Sequence, residues 1–148
     1  VSALQIIKIL VAVTPTMRDT AKQALQCADF DMSFCHSLNQ AKQFLLETAF
    51  DIVICTLQFD ESRLCDLLQF IRTTPLISPT PFVALTFWKE GEGMLSVSAV
   101  KTALHSAKLC GAIESINLPQ WRQQSGDEAA FEKLRSCIRQ LATRKYAE

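Results

Sequence analysis

The chain reads as an α/β protein: a parallel sheet with helices on both faces. Three observations predict this. Apolar, β-branched runs alternate with amphipathic segments along the 148 residues. The alternation repeats five times at the spacing of strand–helix units. The run Ile52-Val53-Ile54-Cys55 is unbroken apolar sequence, as a strand covered on both faces must be. No internal repeat beyond the architectural one and no low-complexity linker divides the chain, so residues 1–148 are expected to be one domain.

Each element has its own signal. Residues Ile6 to Val13 are a buried strand, broken by Thr14-Pro15-Thr16. Thr14 or Thr16 is a candidate cap for the first helix, with Asp19 placed near its positive end. Met17, Ala21, Ala24, Leu25 and Ala28 give that helix an apolar face. Phe30, Met32 and Phe34 alternate with Asp31, Ser33 and Cys35, which is the pattern of a half-exposed edge strand. Ser37 can cap a second helix carrying Ala41, Phe44, Leu45 and Thr48. After the Ile52–Cys55 strand, Leu64, Leu67, Leu68 and Ile71 mark a third helix that stops at Thr73-Thr74-Pro75. Phe82 to Thr86 are the fourth strand, and Lys89 to Gly93 a polar turn. Val100, Ala103, Leu104 and Ala107 line a fourth helix that ends near Gly111. Ile113 to Leu118 read as a fifth, weaker strand ended by Pro119, and residues 120–127 as a polar loop. Phe131, Leu134, Ile138 and Leu141 spell the last helix.

Composition narrows the function. Fifteen basic and fifteen acidic residues cancel, so no global field draws the chain to nucleic acid or an anionic membrane. No apolar run approaches membrane-spanning length, and Val1 to Gln5 have no signal-peptide layout. The missing initiator Met fits a processed form or a piece of a longer protein. Six cysteines include no C-x-x-C pair, and the two histidines complete no zinc pattern. Reduced thiols in apolar stretches of a cytoplasmic protein are expected.

In an open parallel sheet, chemistry gathers at the carboxyl ends of the strands. Here those ends are short of charge: the third strand closes on Thr56 and the fourth on Thr86. A hydroxyl acts as a nucleophile only beside a base, and no base stands at the strand ends. Asp60 and Glu61 follow in the next loop, where they either reach the rim or flank a helix start and favour its dipole.

Several phrases, in order, resemble the receiver domain of bacterial response regulators, the CheY-like fold. Thr14-Pro15-Thr16-Met17-Arg18 is similar to S-P-T-M-R, and Phe50 to Thr56 to P-D-L-V-L-L-D. Pro81 to Thr86 are similar to P-V-I-V-L-T, and Gly111 to Pro119 to G-A-D-D-Y-L-x-K-P. The resemblance spans nearly the whole chain. It implies a five-stranded, parallel, doubly wound sheet of order 2-1-3-4-5 in a flavodoxin/CheY-like three-layer sandwich. It would put the Phe30–Cys35 strand at an edge.

The same resemblance exposes departures. The family's phosphate-accepting aspartate falls on Thr56. Its acidic pair falls on Ala12 and Val13 or on Val13 and Thr14, and its lysine on Leu118. The strand-four hydroxyl is kept as Thr86, and the aromatic switch position is Ser115. Mg²⁺ takes oxygen ligands, normally with one or two carboxylates, so neither a metal nor a cofactor is expected, nor enzymatic activity.

Other features were weighed on their residues. His36 and His105 lie in distant units, which disfavours a shared metal site. No G-x-G-x-x-G or P-loop occurs among four glycines. Lys133, Arg135, Arg139, Arg144 and Lys145 form a basic stripe that reads better as a solvated helix face than as a phosphate contact. Trp88 and Trp121 are candidate anchors near the surface of helix four, strand five and helix five, the family's contact and dimerisation face; each could equally lid the core edge. The expectation is a pseudo-receiver, independent of phosphorylation, that binds a protein partner or a second copy through that face. Nucleic-acid binding by this domain alone and membrane binding are not expected. The alternative is a small-molecule or nucleotide-binding module using Thr14, Thr56, Thr86 and Asn117.

Overall fold

The computed structural model describes residues 6–87 and 97–147. The five strands are β1 (Ile7–Ala12), β2 (Phe30–Cys35), β3 (Ile52–Thr56), β4 (Phe82–Thr86) and β5 (Glu114–Asn117). They form one parallel sheet of order β2-β1-β3-β4-β5, as the resemblance implied. The longer helices are α1 (Arg18–Leu25), α2 (Leu38–Glu47), α3 (Leu64–Thr73) and α4 (Val97–Leu109), followed by α5 (Leu118–Ser125) and α6 (Asp127–Ala147). A 3₁₀ turn, Pro15–Met17, precedes α1, and a distorted turn, Phe59–Ser62, precedes α3. Among the described residues, no helix is long and apolar enough to cross a membrane.

Strand alternation builds two cores. Ile9, Val11, Ile52, Ile54, Val83 and Leu85 project to one face, where Ala21, Ala24 and Leu25 of α1 and Phe131, Leu134 and Ile138 of α6 cover them. Leu10, Ala12, Val53, Cys55 and Ala84 project to the other, under Ala41 and Leu45 of α2, Leu67, Leu68 and Ile71 of α3, and Val100 and Ala107 of α4. Because β3 is buried on both faces along its whole length, an apolar run without alternation was required there. β2 is an edge strand, and its Met32 and Phe34 are half-buried as its sequence suggested.

Ser37 caps α2 by accepting the Gln40 N–H, while Gln40 Oε1 accepts the His36 N–H at 2.9 Å. This reciprocal pair satisfies two backbone donors at the helix start. Helix α1 departs from expectation. Neither Thr14 nor Thr16 caps it; their hydroxyls pair with each other at 3.1 Å, and the cap position is Met17. The Thr14 carbonyl instead closes the 3₁₀ turn by accepting the Met17 N–H.

Residues 120–127 also depart from the expected polar loop, because most of them lie in α5. Asn117 caps this helix by accepting the Gln120 N–H, and Pro119 stands in its first turn. An Asn cap followed by an early Pro is a start signal. Gly126, at φ +86°, then turns the chain into α6. The strand before it is shorter than expected, since Leu118 belongs to the helix.

Two arginines lock distant segments. Arg72, half-buried at the end of α3, donates to Gly111 O, Ser78 O and Thr80 O at 2.7–3.3 Å. It thereby ties α3 to the loop before β4 and to the end of α4. Gly111 has φ +117°, which a side chain adopts only under strain, and Arg72 Nε would lie 3.4 Å from an added Cβ. On the opposite face, Arg139 of α6 donates to Asp29 at 3.0 Å, and the Cys27 thiol bonds the same carboxylate at 2.7 Å. The Arg139 hydrogen bond, then that of Cys27, holds the Asp29 carboxyl down at about 2.

Two outcomes are expected. Arg72→Met removes a cation shared by three carbonyls and should cost about 2–4 kcal/mol in urea unfolding; Arg72→Lys should not restore it, because an ammonium lacks the guanidinium fork. For Asp29, whose pKa is depressed on folding, the stabilisation is full above its ordinary value of 3.8 and is lost as pH falls through about 2. Unfolding midpoints should therefore decline across that window, and Asp29→Asn should flatten this part of the decline.

Candidate functional site

The rim at the carboxyl ends of the strands is where the fold offers a site. β1 delivers Ala12 and Val13, both fully buried. Val13 O accepts from His36 Nδ1 at 2.9 Å, so this histidine is engaged with backbone at the rim. Thr14 is half-buried beside Thr16. β3 delivers Thr56 and β4 delivers Thr86, which are 3% and 2% exposed. β5 leads into Leu118, fully buried at the start of α5.

Thr56 is the feature that composition alone does not reveal. Its Oγ1 is buried and has no hydrogen-bond partner among the described residues. An unmet hydroxyl in the interior costs roughly 1–3 kcal/mol. The last residue of β3 thus carries a polar atom that the described residues leave unsatisfied.

Asp60 and Glu61 stand in the turn before α3, as their sequence position suggested, but Asp60 also serves a second helix: its Oδ2 accepts the Leu38 N–H at 2.8 Å, at the amino end of α2. Reaching there puts Asp60 at φ +43° and Glu61 at φ +56°. Left-handed backbone is tolerated by Asp and unfavourable for Glu. The local sequence carries the acidic pair but gives no sign of this long-range partner, 22 residues away.

Mg²⁺ bound at such a rim would need oxygen ligands, normally with carboxylates among them. The aligned positions supply Val13, Thr14, Thr56 and Leu118, and the following acid, Asp60, is committed to a backbone N–H. Two hydroxyls and apolar side chains do not match an ion that demands oxygen ligands with carboxylates among them.

The second candidate region lies at the edge strand β5. Ser115 Oγ donates to Leu104 O of α4 at 2.7 Å. A groove of about 360 Å³ lies against β5 and α6, lined among others by Ser115, Trp121, Lys133 and Gln140. Trp121, on α5, is half-buried against the α1/α6 core, and Lys133 Nζ sits 4.2 Å from its ring centroid. Trp88 lies outside the described residues. Of the basic stripe of α6, Arg135 and Arg139 pair with Glu132 at 3.1 and 3.8 Å, besides the Asp29 contact, while the side chains of Arg144 and Lys145 lie outside those described. Asn117, offered as a ligand donor in the alternative reading, uses its side-chain oxygen on α5.

Comparisons with solved structures assign the fold. The receiver domain of a sensor histidine kinase from Pseudomonas aeruginosa, solved with magnesium in its active-site cleft, superposes with TM-score 0.70 at 12% identity, covering 93% of this chain and 98% of that one. The receiver domain of a signal transduction histidine kinase from Syntrophus aciditrophicus gives 0.66 at 20%, covering 92% and 89%. That of an HD domain-containing protein from Pseudomonas fluorescens Pf-5 gives 0.65 at 17%, covering 97% and 99%. No family model and no curated protein matches the chain.

Replacing Thr56 by Val removes the unmet hydroxyl and keeps the branched shape. The variant should gain about 1–2 kcal/mol in urea or thermal unfolding. A loss of stability would show that the hydroxyl is satisfied in solution. Taken together, the strand order, the two helical layers and these superpositions give the chain the receiver, CheY-like fold.

Proposed function

We propose that this chain is a pseudo-receiver: a signalling module with a receiver fold that acts by protein contact without being phosphorylated. The observation that carries the reading is the rim itself. A phosphoryl acceptor needs a carboxylate or an activated hydroxyl, with cations to offset developing charge. The aligned positions offer Val13, Thr14, a buried and unpartnered Thr56, and Leu118. Apolar packing sets the fold while the site sets the chemistry, so the scaffold outlasts the loss of its reactive groups.

The contact surface in this reading is the face of α4, β5 and α6. Ser115 and Trp121 both border the groove there, and Trp121 presents a large, half-buried ring beside a lysine. Aromatic side chains of this kind anchor interfaces. The partner is either another protein or a second copy of the chain.

Exposure to Mg²⁺ and acetyl phosphate should yield no phosphoryl adduct by intact-mass analysis. A stoichiometric acid-stable or acid-labile adduct would overturn the phosphorylation-independent reading. For the surface, photo-crosslinking from Gln140 should capture a protein or a second copy, and Trp121→Ala should cut the yield severalfold. Equal yields from Gln69, on the exposed side of α3, would remove this face from the proposal.

A further inference from the structure

The six cysteines do not share one environment. Cys35 and Cys55 are buried in the α2/α3/α4 core, where burial pushes the Cys35 thiol up to about 12 and the Cys55 thiol well above its ordinary range. Cys65 and Cys110 are exposed, against the expectation of core thiols, and their sulfurs lie 3.8 Å apart although 45 residues separate them in sequence.

Their backbones are held in place independently of the sulfurs. Cys65 is in the first turn of α3. Cys110 is the residue after α4, held by its N–H to Ser106 O. The turn that follows bonds Gly111 N to Lys108 O and Ala112 N to Ala107 O, the paired bonds of a Schellman ending. Arg72, on the same helix as Cys65, grips Gly111 O through two N–H groups. The Arg72 clasp therefore fixes the distance between the two cysteine-bearing segments.

We propose that Cys65 and Cys110 form an oxidisable dithiol that closes to an intramolecular disulfide when it meets a small-molecule disulfide such as oxidised glutathione. A disulfide needs its sulfurs at about 2.0 Å. The remaining gap is within the travel of the two χ1 torsions. In the first step, one thiolate attacks a glutathione sulfur, forming a mixed disulfide and expelling glutathione thiolate. In the second, the other cysteine's thiolate attacks the protein sulfur of that adduct and expels the second glutathione. Two protein thiols are oxidised, one glutathione disulfide is reduced to two thiols, and the two protons pass to the leaving groups.

The product would staple the start of α3 to the end of α4 and close the intervening loop. Exposed disulfides of this sort are the labile, reversible ones. The first turn of a helix favours a thiolate. Against that, partial burial, then the hydrogen bond with Cys110 and the charges of Cys110 and Asp66, push the Cys65 thiol up. Attack by Cys65 should accordingly still be quickening at pH values above the ordinary thiol range.

The test treats the full chain with oxidised glutathione, alkylates the remaining thiols and maps peptides by mass. The expected result is a monomer in which the Cys65 and Cys110 peptides are joined, with the other four cysteines alkylated. Dithiothreitol should reverse the link. The oxidised form should melt higher, by up to about 10 °C if loop closure acts in full. Cys110→Ser should instead stop at one glutathione on Cys65, with no link and no gain in melting temperature. Separate glutathione adducts persisting on both cysteines of the unmutated chain would overturn the proposal, as would a link to another cysteine or between two chains. The readout is independent of phosphorylation and of partner binding, so its failure leaves the pseudo-receiver reading standing, and the converse holds.

Discussion

The constraint on which the structure depends is that a parallel sheet must be covered on both faces. Its crossover helices leave β3 and β4, and all of β1 but Lys8, without a wet side. Every side chain of β3, from Ile52 to Thr56, is buried. Polar atoms are therefore excluded from the body of the sheet and pushed to its ends. At the amino end they are well used: Asp51 accepts the Lys8 N–H, pinning β3 to β1 where the strands begin. At the carboxyl end, the hydroxyl of Thr56 is the polar atom left over.

This constraint explains what was legible in the sequence. The odd–even division of Ile52 and Ile54 from Val53 and Cys55 cannot be read from an unbroken apolar run, yet the run itself announces a central strand. Helices α2, α3 and α6 follow from apolar spacing alone, since Leu64, Leu67, Leu68 and Ile71 are all buried in α3. What escaped were contacts between groups far apart in the chain. Asp60 bonding Leu38, Arg72 bonding Gly111 and Cys65 meeting Cys110 leave no local trace, because each is set by tertiary placement. Helix α5 was a different kind of miss. Its signals, the Asn117 cap and Pro119, are local, but a proline at that point both closes a strand and opens a helix, and the sequence alone favours the first.

The rim shows the same division between shape and chemistry. Receiver domains at 12–20% identity superpose along nearly their whole length. That likeness needs only packing periodicity, which many sequences satisfy. Of residues 13, 56 and 118, two are aliphatic here and join the α1/α6 core, and the third is a buried hydroxyl. Burying them is compatible with the two-sided core, whereas clustered carboxylates would repel one another. The site residues were thus legible as positions in the alignment, while the orphaned hydroxyl of Thr56 required coordinates.

The bond from Asp60 to Leu38 has a mechanical meaning. The loop leaving β3 is wound into left-handed backbone so that its carboxylate can sit on the amino end of a neighbouring helix. Unwinding that loop would release torsional strain and strip α2 of an electrostatic stopper in a single movement. Loop and helix are consequently geared together, so that a displacement of the head of α2 and one of the loop leaving β3 cannot occur separately while that bond holds.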